Sequence, residues 1–274
     1  MSPPALLLVA AGVGGLLCTP AVAEDSRADR PLSFEAGAGV ARLPDYSGSG
    51  TSSARARIWV DADYRTERFG TVSLDSGSLT LPPALRWAFI DDQRAGMSVL
   101  LGYRSGRGSS RPSFGSTADG SERLQGLPDV PGAVDAGVEG HVAVFGVPVF
   151  AQLRSALRGP QGSTLNVGIY APLQLTTDVE LTLLPTLTWN NARQARAFYG
   201  VEAAGAAASG YAEFRPGASW QNAAVEIALD WRLASHWHLL ASVAWLRLMG
   251  DAARSPLVQE KQQNTALVGL AWKY

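Results

Sequence analysis

From about residue 33 to the end of the chain, apolar and polar side chains alternate in short runs with a period of two, the pattern of strands whose two faces meet different surroundings. In ARARIWVDADY, residues Ala54, Ala56, Ile58, Val60, Ala62 and Tyr64 share one face, while Arg55, Arg57, Asp61 and Asp63 share the other. VELTLLPTLTW sets Val179, Leu181, Leu183, Leu187 and Trp189 against Glu180, Thr182, Thr186 and Thr188. AAVEIALDWRL sets Val225, Ile227, Leu229, Trp231 and Leu233 against Glu226, Asp230 and Arg232. The run LVGLAWKY closes the chain with Val268, Leu270, Trp272 and Tyr274 on one side, although termini usually fray unless something holds them.

Counting such runs gives about twelve strands, near 33–43, 54–64, 69–75, 79–90, 94–104, 134–145, 147–157, 163–173, 179–189, 219–233, 236–248 and 264–274. Ten is the alternative, because 69–75 is short and Pro82-Pro83 interrupt the next run, where proline cannot donate to a ladder. The linkers sort by parity. LPDYSGSGTSS, SGS and the stretch from Ser105 to Ala133 are long or glycine-rich, as are 190–218 and 249–263. Between them RTER, DDQ, Gly146, QLTTD and Ala234-Ser235 are tight. Transmembrane barrels have this asymmetry, with short periplasmic turns and longer outer loops.

The aromatic residues sort in the same way. Tyr64, Phe89, Trp231, Trp237, Trp272 and Tyr274 fall at the short-turn ends, and Tyr103, Trp189 and Trp245 at the opposite ends. Two aromatic rings around an aliphatic band are the interfacial girdles of such a barrel. The expected fold is all-β, a transmembrane antiparallel up-and-down β-barrel of about twelve strands with three long outer loops and a narrow polar interior. The C-terminal strand is then the closing one, because lipid does not tolerate an open sheet edge.

Composition narrows this little further. With 23 basic and 24 acidic residues, no basic field suggests nucleic acid. Residues 1–23 carry no charged side chain, and their apolar core from Ala5 to Leu17 leads to Ala21-Val22-Ala23. This reads as a signal peptide cleaved after Ala23 rather than an anchor, since about 13 apolar residues are too few to span a bilayer. Cys18 lies within it, and the preceding Leu17 does not fit a lipoprotein signal. The expected organisation is therefore a removed signal peptide, 1–23, followed by one barrel domain, 24–274.

Candidate chemistry is sparse. His236 and His238 flank Trp237 and are expected on the lumen side, but a structural metal site wants four ligands, and His141 is distant in sequence. Ser242 stands four residues beyond His238, roughly 13 Å along a strand, too far for a catalytic pair. Gly37-Ala38-Gly39 fails as a dinucleotide motif because Arg42 occupies the third glycine position and no helix follows. The expected catalytic, cofactor and metal residues are therefore none. Arg57, Asp61, Asp63, Glu139, Arg154, Glu180, Glu226, Asp230 and Arg232 mix both signs on the lumen side. They suit mutual pairing or a polar pore lining.

From about residue 120 onward the chain resembles the MipA/OmpV family of outer-membrane proteins. LLPTLTWNNARQARAFYGV carries Pro185, Leu187 and Trp189, then Tyr199-Gly200-Val201; AAASG spans Ala206 to Gly210. The closing run contains Leu248, Gly250-Asp251-Ala252-Ala253 and Ser255-Pro256-Leu257-Val258. LQGLPDV, Leu124 to Val130, is similar to a loop motif L-x-G-L-G-D-I, with Pro128 and Val130 departing from it. The resemblance implies an outer-membrane location, no catalytic motif, and a scaffold linking a lytic transglycosylase to a bifunctional penicillin-binding protein in cell-wall growth. Its partner contacts are expected at the periplasmic turns 65–68, 91–94 and 174–178. A small-solute diffusion channel and a lipid-active barrel hydrolase are the alternatives.

Overall fold

The computed structural model describes residues 31–66, 68–114 and 119–274; the expected signal peptide lies outside them. Twelve strands close into one antiparallel barrel among the described residues. They are β1 (Leu32–Pro44), β2 (Ser52–Thr66), β3 (Gly70–Asp75), β4 (Ala84–Asp91), β5 (Ala95–Arg104), β6 (Ala133–Val144) and β7 (Val147–Ala156). There follow β8 (Ser163–Ile169 and Ala171–Thr176, interrupted at Tyr170), β9 (Val179–Asn190), β10 (Ser219–Arg232), β11 (Trp237–Leu248) and β12 (Gln262–Lys273). Both parts of β8 pair with β9, and every strand pairs with its neighbours in sequence. β12 pairs with β1 from Glu35↔Lys273 to Arg42↔Ala266, which closes the cylinder. The C-terminal strand is therefore held on both sides, by β1 and β11.

Alternation decides which residues meet lipid. Ile58, Val99, Leu101, Val138, Leu187, Val225, Val243 and Val268 are exposed on the outer surface. Tyr64, Phe89, Trp231, Trp237 and Tyr274 ring the short-turn end, and Tyr103, Trp220 and Trp245 the other. No described helix is long and apolar enough to cross a membrane. The outward positions of the twelve strands carry two charged side chains among the described residues, Arg42 and Arg247, both at the long-loop end.

The inner surface also holds a large aromatic side chain among its polar ones. Trp59 faces the lumen and lies over β1 onto β12, its indole N–H donating to Glu35 Oε1 at 2.8 Å. The ring fits because Gly37 and Gly269 lie beneath it. A Cβ at Gly37 would come within 2.3 Å of the indole, and one at Gly269 within 2.5 Å. Gly37→Ala is therefore expected to push Trp59 off its hydrogen bond and cost about 1–3 kcal/mol of stability, the usual range for overpacking. Urea unfolding of the refolded protein measures it; an unchanged midpoint would mean the ring is free to move.

At the long-loop end, L1 (45–51), the described parts of L3 (105–114 and 119–132), L5 (191–218) and L6 (249–261) pack into a cap. L5 carries two helices, α1 (Ala192–Tyr199) and α2 (Ala203–Ser209). Asn191 caps α1 by accepting from the Gln194 N–H at 2.9 Å, and Gly210, at φ 77°, ends α2 in the left-handed region that glycine tolerates. Tyr46, Leu124, Leu127, Val201 and Leu257 form the buried centre, flanked by Tyr199, Leu248 and Ala252. Tyr46 donates to the Leu257 carbonyl at 2.9 Å, and the Tyr199 hydroxyl meets Ser47 Oγ and Gln221 Nε2, each at 2.7 Å. Burial pushes both phenols up to about 12, so they remain neutral at ordinary pH.

Asp251 pins L6 to L5. Its carboxylate accepts from the Gly217 N–H at 2.6 Å and from Arg254, and these bonds, the Gly217 one first, hold its pKa below the usual aspartate value. A depressed folded pKa gives stability that is present above the unfolded value, about 3.9, and is lost as pH falls through the folded one. Asp251→Asn is expected to cost up to about 1 kcal/mol at neutral pH, as for an exposed ion pair. The difference from wild type is expected to shrink as pH falls below about 4 and to vanish only below the depressed folded value. A difference that persists unchanged to low pH would show that the charge is irrelevant.

Candidate functional site

The lumen is where alternation concentrates polar groups, and a loop divides it. The periodicity predicts a strand over 79–90, but the strand begins at Ala84. Residues 76–83 (L2) instead turn into the barrel, because Pro82 and Pro83 cannot donate to a ladder. Ser76 holds the near end: its hydroxyl donates to the Val60 carbonyl at 2.7 Å, and its N–H donates to Asp61 Oδ1. Glu226, on β10, accepts from Leu79 N–H at 3.3 Å, Thr80 N–H at 3.2 Å and Thr80 Oγ1 at 2.9 Å. In a ring of twelve, β10 lies across from the β3–β4 pair, so L2 spans the barrel's width.

The returning arm of L2 is gripped by a buried cluster. Arg154 donates to the carbonyls of Pro82 and Pro83, each at 2.9 Å, and to Asp135 Oδ1 at 2.7 and 3.0 Å. Arg104 completes the triad, with Nε 2.6 Å from Asp135 Oδ2. Asp135 is 0% and Arg154 1% exposed. Further round, Arg86 pairs with Glu139, which accepts from Gln152 at 2.8 Å; Asn166 and Thr188 extend the chain onto β9.

On the short-turn side of L2 lies a vestibule of about 570 Å³. Glu35, Asp61, Asp63, Asp91 and Glu139 line it, together with Arg65, Arg86, Lys273 and His141. Lys273 is shared, with Nζ 2.7 Å from Glu35 Oε2 and 2.5 Å from Asp230 Oδ2. Arg86 bonds Glu139 at 3.0 Å, while Ser33 donates to Asp63 and Thr71 to Asp91. Five carboxylates face three permanent cations, so the vestibule is net negative.

The sequence-derived candidates separate. His238 lies inside and bonds Asp230 Oδ1 through Nδ1 at 2.6 Å, so the imidazole is turned to that carboxylate rather than toward Ser242. His236 does not face the lumen as the alternation suggests. It belongs to the turn before β11 and stacks on Trp272, centroids 5.5 Å apart, with Nδ1 2.9 Å from the Lys273 carbonyl. The turn breaks the strand parity that the two-residue spacing assumes. His141 lines the vestibule and meets the Asp92 carbonyl at 3.1 Å. Arg57 and Glu180 occupy inner-face positions on β2 and β9, whereas Arg232 pairs with Asp178 at an exposed turn, outside the lumen proper. No group of three or more His, Cys, Asp or Glu with metal-holding geometry occurs among the described residues.

Sequence reasoning missed the inward path of L2, the Arg104–Asp135 contact and the Trp59 stack. The proline pair was the available signal for the first; the others join strands far apart in sequence. The motifs that carry the family resemblance meet in the cap. Leu124 and Leu127, Tyr199 and Val201, Ala206, Ala252 and Leu257 all belong to its apolar clusters.

A direct sequence search of curated proteins finds no match. Among solved structures, the chain is similar to the NanC porin at 11% identity and a TM-score of 0.46, covering 88% of this chain and 100% of that one. It is also similar to the translocator domain of the autotransporter NalP from Neisseria meningitidis, at 10% identity, a TM-score of 0.43 and 89% coverage of each chain. A loop-deletion mutant of the outer-membrane protein OmpT of Vibrio cholerae matches at 8% identity and a TM-score of 0.40, over 89% of this chain and 98% of that one. The sequence profile of "MltA-interacting protein MipA" matches residues 36–274. That match takes in the whole described barrel from early in β1 to the last residue, and the chain belongs to the MipA family.

Proposed function

We propose that the protein is a non-catalytic scaffold of the outer membrane, linking a lytic transglycosylase to a peptidoglycan synthase of the penicillin-binding type. The family's name denotes interaction with MltA, and that is the ground for a binding rather than a chemical role. The observation that carries the reading here is the obstructed lumen. L2 crosses it, tied to Glu226 and Arg154, and the cap covers its outer end. A plugged barrel leaves its two ends as working surfaces, and cell-wall enzymes meet the short-turn end. Arg65 and Asp91 line the vestibule there, the rest of the 91–94 turn follows Asp91, and the 174–178 turn belongs to a different hairpin.

The test is recovery of the folded protein from cross-linked, gently solubilised envelopes, with identification of what accompanies it. Enrichment of a lytic transglycosylase or a synthase, lost on charge reversal of Arg65 and Arg94, is the expected result. Recovery of the barrel alone, in an experiment that does recover a known interacting pair, would remove the scaffold reading. The hydrolase alternative has one specific observation in its favour, the His238–Asp230 pair, but that carboxylate is shared with Lys273.

A further inference from the structure

A second concave site lies on the outside of the barrel, at the long-loop end. It is a groove of about 350 Å³ between β1, β12 and β11, within the lower range of small-ligand sites. Its floor is β12, with Gln262, Asn264 and Ala266; Arg42 forms one side and Trp245 the other. Register places these side chains together: Arg42 pairs with Ala266, Trp245 with Asn264, and Arg247 with Gln262.

Depth follows from the strands themselves. Along β1 the outward residues run Phe34, Ala36, Ala38, Val40 and then Arg42; along β11 they run Leu239, Ala241, Val243, Trp245 and then Arg247. Each arginine stands one outward position beyond the aliphatic band or its aromatic border, at headgroup depth. Charge on the lipid face costs about 2–4 kcal/mol at mid-membrane and about 0–1 near the interface, so this depth is where an arginine is tolerated. Tolerance does not explain the placement, however. Around the whole barrel, the two outward-facing charged side chains of the described strands stand at this one groove, on either side of β12: Arg42 lines it, and Arg247 lies just past its edge, opposite the lining residue Gln262. Neither has an ion pair or side-chain hydrogen bond within the described residues, and the exposed Lys261 adjoins them. Glu260 is the acidic side chain in the lining.

We propose that this groove binds the phosphorylated glycolipid of the outer leaflet. The two guanidinium groups match phosphate oxygens with forked, charge-assisted hydrogen bonds. Gln262 and Asn264 supply amide donors and acceptors for sugar hydroxyls. Trp245 offers an apolar face at the boundary where the acyl chains begin. The arrangement is built on strands rather than loops, so it is in place before the lipid arrives.

The protein is extracted from its membrane in mild detergent, and retained glycolipid is counted by native mass spectrometry. Wild type is expected to keep it, and the Arg42→Gln, Arg247→Gln double variant to lose it at least about tenfold more readily, as for charged hydrogen bonds. Glu260→Gln, which removes the opposing charge, is expected to increase retention. Heat-modifiable mobility on gels confirms that each variant is folded. A second arm reconstitutes the protein into phosphatidylethanolamine vesicles carrying either bisphosphorylated lipid A or phosphatidylglycerol. Equal protection from thermal unfolding by both would reduce the groove to a general anionic contact and overturn the proposal. Displacement of the glycolipid by millimolar inorganic phosphate would do the same, as would undiminished retention by the double variant.

Discussion

Asp135→Ala is expected to lower the unfolding free energy by about 3–5 kcal/mol, the range for breaking a buried ion pair from one side. The carboxylate sits between Arg104 and Arg154, at 2.6 and 2.7 Å, and is fully buried. Removing it leaves two guanidinium groups side by side with no counter-charge, in a place water reaches poorly. Arg154→Met is expected to cost less. Asp135 keeps Arg104, and the loss is confined to one charge and the bonds to the Pro82 and Pro83 carbonyls. Urea titration in lipid vesicles, read by tryptophan fluorescence, measures both. If Asp135→Ala cost under about 1 kcal/mol, closer to an exposed pair, the outer lumen would have to be well hydrated.

Opening the lumen is the second large effect. Replacing residues 76–83 with a short glycine-serine turn removes the crossing segment and all of its ties to Glu226 and Arg154. In planar bilayers the wild-type protein is expected to show little steady conductance and the shortened protein a clear rise. The vestibule would then join the space above it. Glu226→Ala is the milder form, since it leaves three donors of L2 without their acceptor, about 1–3 kcal/mol for each one that water does not reach. It is expected to produce flickering openings rather than a constant pore. Equal conductance before and after loop replacement would mean that L2 does not close the path, and would revive the diffusion-channel alternative.

Both effects depend on a part of the chain that local pattern reads poorly. The strand pattern over 79–90 runs through Pro82-Pro83, and alternation by itself cannot say whether an interrupted strand continues or folds away. The side chains that hold L2, the donor Arg154 and the acceptor Glu226, lie 71 to 147 residues further along, on β7 and β10. Nothing near residue 80 announces them. Glu226 was legible as an inward charge but not as a tether. His236 shows the same limit at smaller scale: spacing of two from His238 puts both on one face only while the backbone is extended, and the turn ends that before residue 236.

What the sequence determined by itself is the barrel: its up-and-down antiparallel architecture of about twelve strands, with ten left open until the structure showed twelve, which face of each strand meets lipid, the two aromatic rings and the closing role of the last strand. These follow from local rules, because a period of two is a property of the backbone and lipid imposes a single demand on every outward position. Tertiary structure alone decided what fills and covers the cylinder: the course of L2, the buried Arg104–Asp135–Arg154 triad, the cap in which the sequence motifs converge, and the groove between Arg42 and Arg247. Each joins residues from strands or loops distant in the chain. Their partners are fixed by how the closed sheet curves and by strand register, neither of which any short stretch of sequence encodes.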